Sequence, residues 1–410
     1  MSTSGHSNFQ PQDADSRRSI AFLNWAHAVD HYVLLIFPTV VLSLEAFYRR
    51  PYGELIALST PCFIAFGVFS LPAGWLADRW SRRNMMAVFY AGCGLSLVAA
   101  AFAPNLIMLA AALFMLGVFA AIYHPVGMAM LIQVSQARGR TLAFNGVCGN
   151  LGAALAAGIT AALASWLDWR AAFLVPAALC LATAPLFLWA VPDDRHERAN
   201  RESAPSVRLT PRMAAILFGL FIVIALTAGL IFNAVTVSLP KIVEERLGQD
   251  MPLIVVGGLA TGVFICGALA QLAVGRLVEW IAPHLLLAII VAIGLVGILW
   301  AAMTTGPALM AALALVMVSI YGQVTVNDMV IARYSADAWR GRVYAVRYFL
   351  LFVSAGAAVA MVARFHQQGG FHLVLLVTAA MTFVFFLAAI GVAVMASLAQ
   401  SKRSAAQPAE

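Results

Sequence analysis

The chain has 410 residues, of which 62% are apolar and only 10% are charged, and its mean hydropathy is +0.89. A water-soluble fold of this composition would expose too much apolar surface, so a soluble globular protein is excluded. The net charge of +7 does not indicate nucleic-acid binding, because the basic residues are spread over many short polar segments. Composition therefore predicts an all-α membrane protein.

Twelve apolar stretches are long enough to cross a bilayer, which takes roughly 20 mostly apolar residues. The predicted helices cover residues 20–43, 54–77, 84–103, 105–134, 142–166, 171–191, 212–239, 253–275, 281–303, 306–334, 343–364 and 371–397. A long polar stretch divides them six and six. We therefore predict twelve transmembrane helices in two pseudo-symmetric six-helix bundles, at 20–191 and 212–397, with a cytoplasmic linker at 192–211 and cytoplasmic tails at 1–19 and 398–410.

Lysine and arginine are unevenly divided between the two sides that this topology defines. Nineteen of the 25 fall on the side that holds both chain ends. The six on the other side are Arg49, Arg50, Arg170, Lys241, Arg246 and Arg364. The positive-inside rule then predicts a bacterial-type inner membrane protein with both termini in the cytoplasm. Residues 1–19 lack the apolar core of a cleaved signal peptide, so we expect the first helix to be an uncleaved insertion signal.

An internal repeat indicates that one half of the chain duplicates the other. Three pairs of landmarks share an offset of about 202 residues. They are Pro38 with Pro240, Gly74-x-Leu76-Ala77-Asp78 with Gly275-x-Leu277-Val278-Glu279, and Arg138-Gly139-Arg140 with Arg340-Gly341-Arg342.

The first predicted helix carries an unusual number of polar residues. Ionisable groups at bilayer depth are costly and normally face a cavity or a partner, so they are candidate functional residues. Asp30 and His124 each lie roughly 15 Å from the cytoplasmic ends of their helices, which allows a proton-binding pair or a static pair that fixes helix packing. The predicted proton-coupling or substrate-cavity residues are Asn24, His27, Asp30, His31, His124, Asn145, Asn150 and Asn233.

Two further features concern helix geometry near these residues. Pro125 removes a backbone donor and frees the carbonyl of residue 121, so we expect a local bend beside His124. Gly146, Gly149 and Gly152 recur at three-residue intervals, which is typical of closely packed membrane helices.

The segment from Gly74 to Arg83 resembles the signature of the major facilitator superfamily: a glycine, an acidic residue, an arginine and a basic pair. Ser81 stands where the pattern has its second glycine. The resemblance implies a twelve-helix secondary transporter whose signature residues act at a cytoplasmic gate. We predict a gate formed by Gly74, Asp78, Arg79, Arg82, Arg83, Asp328 and Arg347, with a simple interfacial ion pair as the alternative for the last two.

A narrower resemblance rests on three motifs of the first half. They are His27-x-x-Asp30, Tyr123-His124-Pro125 and Asn145-Gly-x-x-Gly149-Asn150-x-Gly152. These look like the fosmidomycin-resistance branch, whose members act as proton-driven exporters. Leu113 stands where drug exporters carry an arginine, and the fifth helix lacks their Gly-Pro signature.

The prediction is a secondary active transporter that moves a small organic solute or drug-like compound by alternating access, coupled to protons, working as a monomer and not as an enzyme. Protease, nucleophile-elbow and phosphate-loop motifs are absent from the sequence. We predict no cofactor, no metal site and no nucleic-acid partner. Two alternatives stay open: a copper transporter of the same fold, from His124, Met128 and Met130, and a non-transporting sensor or membrane enzyme.

Overall fold

The computed structural model describes residues 14–135, 138–193, 211–248, 251–334 and 337–406. Within these residues the chain is helical and contains no strand, and eleven helices are long and apolar enough to cross a membrane. They are α1 (Ala14–Tyr48), α2 (Tyr52–Arg79), α3 (Arg82–Ala101), α4 (Leu106–Val134), α5 (Arg138–Trp166), α6 (Ala171–Ala190), α7 (Pro211–Leu247), α8 (Leu253–Leu277), α9 (Pro283–Met303), α10 (Ala308–Tyr334) and α11 (Asp337–Ala406).

The predicted helices and the observed ones agree to within a few residues at most ends. The starts of α3 and α4 are set by side-chain caps: Ser81 Oγ accepts from the Asn84 amide at 3.2 Å, and Asn105 Oδ1 accepts from the Met108 amide at 2.9 Å. These caps satisfy backbone donors that a helix start leaves free.

The seventh helix is longer than predicted. We expected it to end at residue 239, before Pro240 and a charged run, but α7 continues to Leu247. Lys241 lies three and four residues before Glu244 and Glu245 and pairs with both carboxylates. Opposite charges at these spacings stabilise a helix, so the charged run continues the helix instead of forming a loop.

The fourth helix departs from α geometry at the predicted place. Residues Tyr123–Gly127 form a π-helical turn around Pro125. Proline cannot donate to the carbonyl four residues before it, and a π turn accommodates the missing bond. The expected local distortion beside His124 is therefore confirmed.

The eleventh helix is too long for one crossing. It has 70 residues, whereas a bilayer core needs roughly 20. Its backbone is not helical at Gly369 (φ −157°, ψ 22°) and Gly370 (φ 59°, ψ −163°). The Gly370 conformation is available almost only to glycine. The break divides α11 into a first part, 337–368, and a second part, 371–406, close to the predicted helices 343–364 and 371–397.

The helices pack mainly within two sets. Among the first six, α1 packs on α5, α3 on α6, and α2 on α4; among the last five, α7 and α9 pack on α11, and α10 packs on α8 and α9. The main contacts between the sets are α5 with α8, α2 with α11, and α1 with α7. Glycines permit the closest approaches: a side chain at Gly152 would overlap the backbone of Ala28, and one at Gly67 would overlap the backbone of Phe352.

Some predictions fall beyond the described residues. These are most of the linker, 194–210, the chain ends 1–13 and 407–410, and the side chains of both Arg-Gly-Arg motifs except that of Arg140, which is exposed.

Candidate functional site

A polar cluster lies where α1, α4 and α5 meet. Helical spacing places His27 and His31 of α1 on one stripe, and the π turn of α4 presents Tyr123 and His124 to it. Asn145 of α5 completes the cluster and is fully buried. Most of the predicted cavity residues are thus brought together by three helices of the first set.

Asn145 is the centre of the hydrogen bonds in this cluster. Its Nδ2 donates to Asn24 Oδ1 at 3.0 Å and to the Leu23 carbonyl at 3.3 Å. Its Oδ1 accepts from Tyr123 Oη at 3.1 Å, and its backbone carbonyl lies 2.8 Å from His27 Nδ1. Both ends of the amide are therefore used, which fixes its orientation.

The hydrogen bond from His27 determines which ring nitrogen is protonated. A carbonyl can only accept, so Nδ1 of His27 carries the hydrogen. In the neutral ring Nε2 then offers a lone pair, and it lies 3.2 Å from Nε2 of His31. The His27 ring also stacks on Tyr123, with ring centroids 4.8 Å apart and planes 24° from parallel. His27 is thus held rigidly, with its Nε2 acceptor in hydrogen-bond range of His31 Nε2.

Asp30 and His124 meet as their equal depth in the sequence predicts. His124 Nε2 lies 3.4 Å from Asp30 Oδ2, the Asp30 side chain is 0% exposed, and that of His124 is 21% exposed. Neither carboxylate oxygen of Asp30 accepts a hydrogen bond from the described residues. The rings of Phe66 and Phe352 lie 6.0 and 5.0 Å from the His124 ring. A buried carboxylate with an imidazole as its nearest cationic partner can hold or release a proton.

Two predicted cavity residues lie elsewhere. Asn150 donates from Nδ2 to Gln271 of α8, and Gln271 Nε2 donates to Thr325 Oγ1 of α10 at 3.3 Å. Asn233 donates to the Gly229 carbonyl of its own helix at 2.8 Å. Asn150 therefore joins the two helix sets, whereas the amide nitrogen of Asn233 is engaged one turn back along α7.

The predicted signature residues cluster at the end of α2. Arg82 Nη2 donates to Asp78 Oδ1 at 2.8 Å, and Arg82 Nη1 donates to Gln133 Oε1 at 3.0 Å. A side chain at Gly74 would come within 3.2 Å of Pro125 Cβ, so the signature glycine contacts the π turn of α4.

The remaining signature arginines contact neighbouring groups at the same end. The Arg79 guanidinium lies 3.9 Å from the Trp75 ring centroid, and Arg83 Nη1 donates to the Val191 carbonyl at 3.4 Å. These contacts involve helices of the first set.

The other predicted gate pair is formed, between α10 and α11. Arg347 donates to Asp328, and its Nη2 lies 3.4 Å from the Val324 carbonyl. Asp328 pairs with Arg347, while Arg333, near the end of α10, is exposed. Both members belong to the last five helices, so this pair holds one set together.

A second charged group lies at the opposite end of the helices, and sequence reasoning did not include it among site residues. Lys241 of α7 contacts Glu45 of α1 as well as Glu244 and Glu245. His366 Nε2 of α11 lies 2.9 Å from Glu245 Oε1. The spacing of Lys241 to its two helix neighbours is readable in the sequence, but the contact with Glu45 spans 196 residues and is not. We call these five residues the Lys241 network.

The comparison with known families decides the class. A family model described as Major Facilitator Superfamily matches residues 33–360. The chain belongs to the major facilitator superfamily.

Solved facilitator structures share the fold over nearly the whole chain. A bacterial homologue of the human lysosomal transporter Spinster, crystallised inward-facing and unoccupied, matches with a TM-score of 0.69 at 12% identity, over 95% of this chain and 96% of that one. Its inward-facing, occupied form matches with a TM-score of 0.73 at 12% identity, again over 95% and 96% of the two chains. At this identity the likeness shows the fold alone.

A curated relative gives a partial match. A gallate transporter of Pseudomonas putida is 26% identical over 217 residues, which is 50% of this chain and 48% of the relative. The match thus spans about half the length of this relative. The family model places the chain in a superfamily of transporters and not among enzyme families, and the solved structures support the fold alone.

One group in this facilitator has donors suited to a metal ion. His27, His31 and His124 offer ring nitrogens that all lie within 4.8 Å of one another. The copper alternative relied on His124 with Met128 and Met130. Met130 is buried and Met128 half-buried, and the structure surrounds His124 with imidazoles, a carboxylate and aromatic rings.

Proposed function

We propose that this facilitator is a proton-coupled secondary transporter of a small organic solute. The observation that carries the proposal is the Asp30 carboxylate of α1, which is fully buried and lies 3.4 Å from His124 of α4 in a transporter fold. Burying a carboxylate at bilayer depth costs free energy, so such a residue normally has a functional role. Proton binding there, followed by release on the other side, would couple the proton gradient to solute movement.

The proposed architecture is twelve membrane crossings in two six-helix halves: α1–α6, and α7–α11 with α11 counted as two crossings. The break at Gly369 and Gly370 supports this count. In a pseudo-symmetric pair, each helix of one half corresponds to the helix six positions away in the other half. The contact of α5 with α8 then corresponds to a contact of the eleventh crossing with the second, and α2 does pack on α11. This equivalence, like the repeat offset in the sequence, supports a pseudo-symmetric pair.

The proposed conformation is closed at the Lys241 end and open at the Arg79 end. The Lys241 network joins α1 of the first half to α7 of the second. The contacts at the Arg79 end involve helices of one half at a time. By the positive-inside rule the Arg79 end is cytoplasmic, which makes the state inward-facing, as in the two Spinster-homologue structures. We further propose a bacterial-type inner membrane, cytoplasmic termini and a functional monomer.

The proposed solute classes follow from the relative and from the motifs. The gallate transporter favours an aromatic carboxylate as the first solute to test. The fosmidomycin-resistance-like motifs favour a drug-like compound as the second. Aromatic rings beside His124, those of Phe66 and Phe352, suit a planar solute in either class.

A flux assay in proteoliposomes with an imposed pH gradient tests the proposal. Of a panel of candidate solutes, wild type should accumulate an aromatic acid. Asp30→Asn should lose gradient-driven accumulation by about 100-fold or more, since its side chain cannot take up the coupled proton. Asp168→Asn is the matched control, because Asp168 is exposed and pairs with Arg170 at the helix end.

Full pH-dependent transport by a correctly inserted Asp30→Asn variant would remove Asp30 from the mechanism. Solute binding without flux in wild type would favour a sensor.

A further inference from the structure

The side chains around His31 have the composition of a transition-metal site. We infer that His27, His31, His124 and Asp30 together bind one divalent cation of the zinc class. This goes beyond the proposed solute transport, since an ion binds there whether or not the chain moves an organic solute.

The distances between the donor atoms fit tetrahedral coordination. With metal–nitrogen bonds near 2.0–2.1 Å, neighbouring ligand atoms in a tetrahedral zinc site lie about 3.3 Å apart. His27 Nε2 and His31 Nε2 are 3.2 Å apart, and His124 Nε2 and Asp30 Oδ2 are 3.4 Å apart. The structure thus holds two ligand pairs at the required separation.

Gathering the three imidazoles around one ion needs only small movements. The three ring nitrogens lie within 4.8 Å of one another, so the widest separation among these three exceeds a ligand–ligand edge by at most about 1.5 Å. Asp30 lies outside this group of three and approaches the ion from the side of His124. His31 and His124 are half-buried, whereas His27 is buried and hydrogen-bonded to the Asn145 carbonyl.

The surroundings of His27 are those of a metal ligand. Ligating histidines normally donate their second ring nitrogen to a carbonyl or carboxylate, which fixes the ring and leaves the other nitrogen free. His27 does this through Nδ1 to the Asn145 carbonyl at 2.8 Å. Stacking on Tyr123 holds the ring plane as well.

Asp30 provides the charge that an ion would need. Its two oxygens are buried and accept no hydrogen bond within the described part of the chain. A buried carboxylate is stable only when compensated, and a divalent cation is a strong compensating charge. Three imidazoles and one carboxylate are borderline-to-hard ligands, so the set favours Zn2+, with Co2+ as its spectroscopic substitute, over Cu+.

The test measures binding directly on the full chain, purified with a tag that contains no histidine. Equilibrium dialysis should show one Zn2+ per chain, and Co2+ should give the intense visible absorption of tetrahedral coordination. His31→Gln and His124→Gln should each weaken binding by at least about tenfold. His372→Gln is the control, since His372 contacts the Ala302 carbonyl outside the cluster, and it should bind like wild type.

The binding measurements contain no solute, so they test the metal site independently of transport. Unchanged affinity in either cluster variant, wild-type stoichiometry well below one, or an octahedral Co2+ spectrum overturns the proposal. Size-exclusion profiles establish that the variants are folded, and two independent ligand variants guard against one that is not. If Asp30→Asn transports normally while wild type binds zinc, the metal site stands and the proton mechanism fails.

Discussion

The cluster around Asp30 and the Lys241 network both place charged groups in membrane-spanning helices, yet they connect different parts of the molecule. The cluster is built from α1, α4 and α5, all in the first half. The network takes Glu45 from α1 and Lys241 and His366 from α7 and α11. If the halves rock against each other, the cluster keeps its geometry while the network has to break. The proposal therefore assigns solute and proton binding to the cluster and gating to the network.

The largest expected effect comes from separating the helices that hold the cluster. Gly152→Val would place a side chain on the Ala28 backbone and force α5 away from α1. Overpacking of this kind costs about 1–3 kcal/mol or more, and here backbone is the obstacle. We expect most of the folded protein to be lost on size-exclusion chromatography. Gly146→Ala, one helix turn or more away with open space around it, should behave as wild type; equal losses would show that α5 tolerates no change anywhere.

Removing the centre of the cluster should be the next largest effect. Asn145→Ala leaves Tyr123 Oη and Asn24 without their partner in a buried region, at a cost of about 1–3 kcal/mol each. The melting temperature should fall by several degrees. Asn233→Ala is the matched comparison and should have a smaller effect, because among the described residues Asn233 Nδ2 bonds to the carbonyl of its own helix turn. A larger fall in Asn233→Ala would reverse the assignment of the polar centre to the first half.

The Lys241 network should influence conformation more than folding. Lys241→Gln leaves the carboxylates of Glu45, Glu244 and Glu245 together without their shared cation, so the Lys241 end should open more often. We expect roughly a tenfold rise in labelling of a single cysteine placed at that end, which corresponds to about 1.4 kcal/mol. Arg364 is exposed and lies in the first part of α11, two residues before His366, so Arg364→Gln is the charge-matched control. An unchanged labelling rate would mean that apolar contacts alone hold this end closed.

The smallest effect should come from the signature arginine. Arg82→Gln loses the contact with Asp78, whose side chain is 65% exposed, and the hydrogen bond to Gln133. Exposed ion pairs contribute about 0–1 kcal/mol, so the melting temperature should change little. A large loss of stability would make the signature a structural element comparable to the Asn145 centre.

Much of the fold could be predicted because the bilayer leaves few choices. Apolar length alone predicts the helices, including separate ones at 343–364 and 371–397, and Pro125 predicts the distortion in α4. The meeting of Asp30 with His124 also followed from helix rise, since both lie at one depth. These inferences need only local geometry and a fixed membrane thickness.

The remaining features depend on contacts that no local pattern encodes. The pairing of Lys241 with Glu45 requires knowledge of how α1 and α7 face each other. The polarity of Asn233 is visible in the sequence, whereas its bond to the Gly229 carbonyl is not, and its place in a solute cavity stays a prediction. The charged end of α7 looked like a loop because apolarity ended there, although ion pairs extend the helix.

The π turn in α4 has a consequence for comparing this facilitator with its relatives. A π turn holds one more residue than the α turn it replaces, so everything after Gly127 is rotated by about 100° from where a regular helix would place it. A relative without the turn would align correctly only with a one-residue gap near Pro125. Without that gap, each position from Met128 to Val134 would be matched to a residue on a different face, and true equivalents of Gln133 would be read as substitutions.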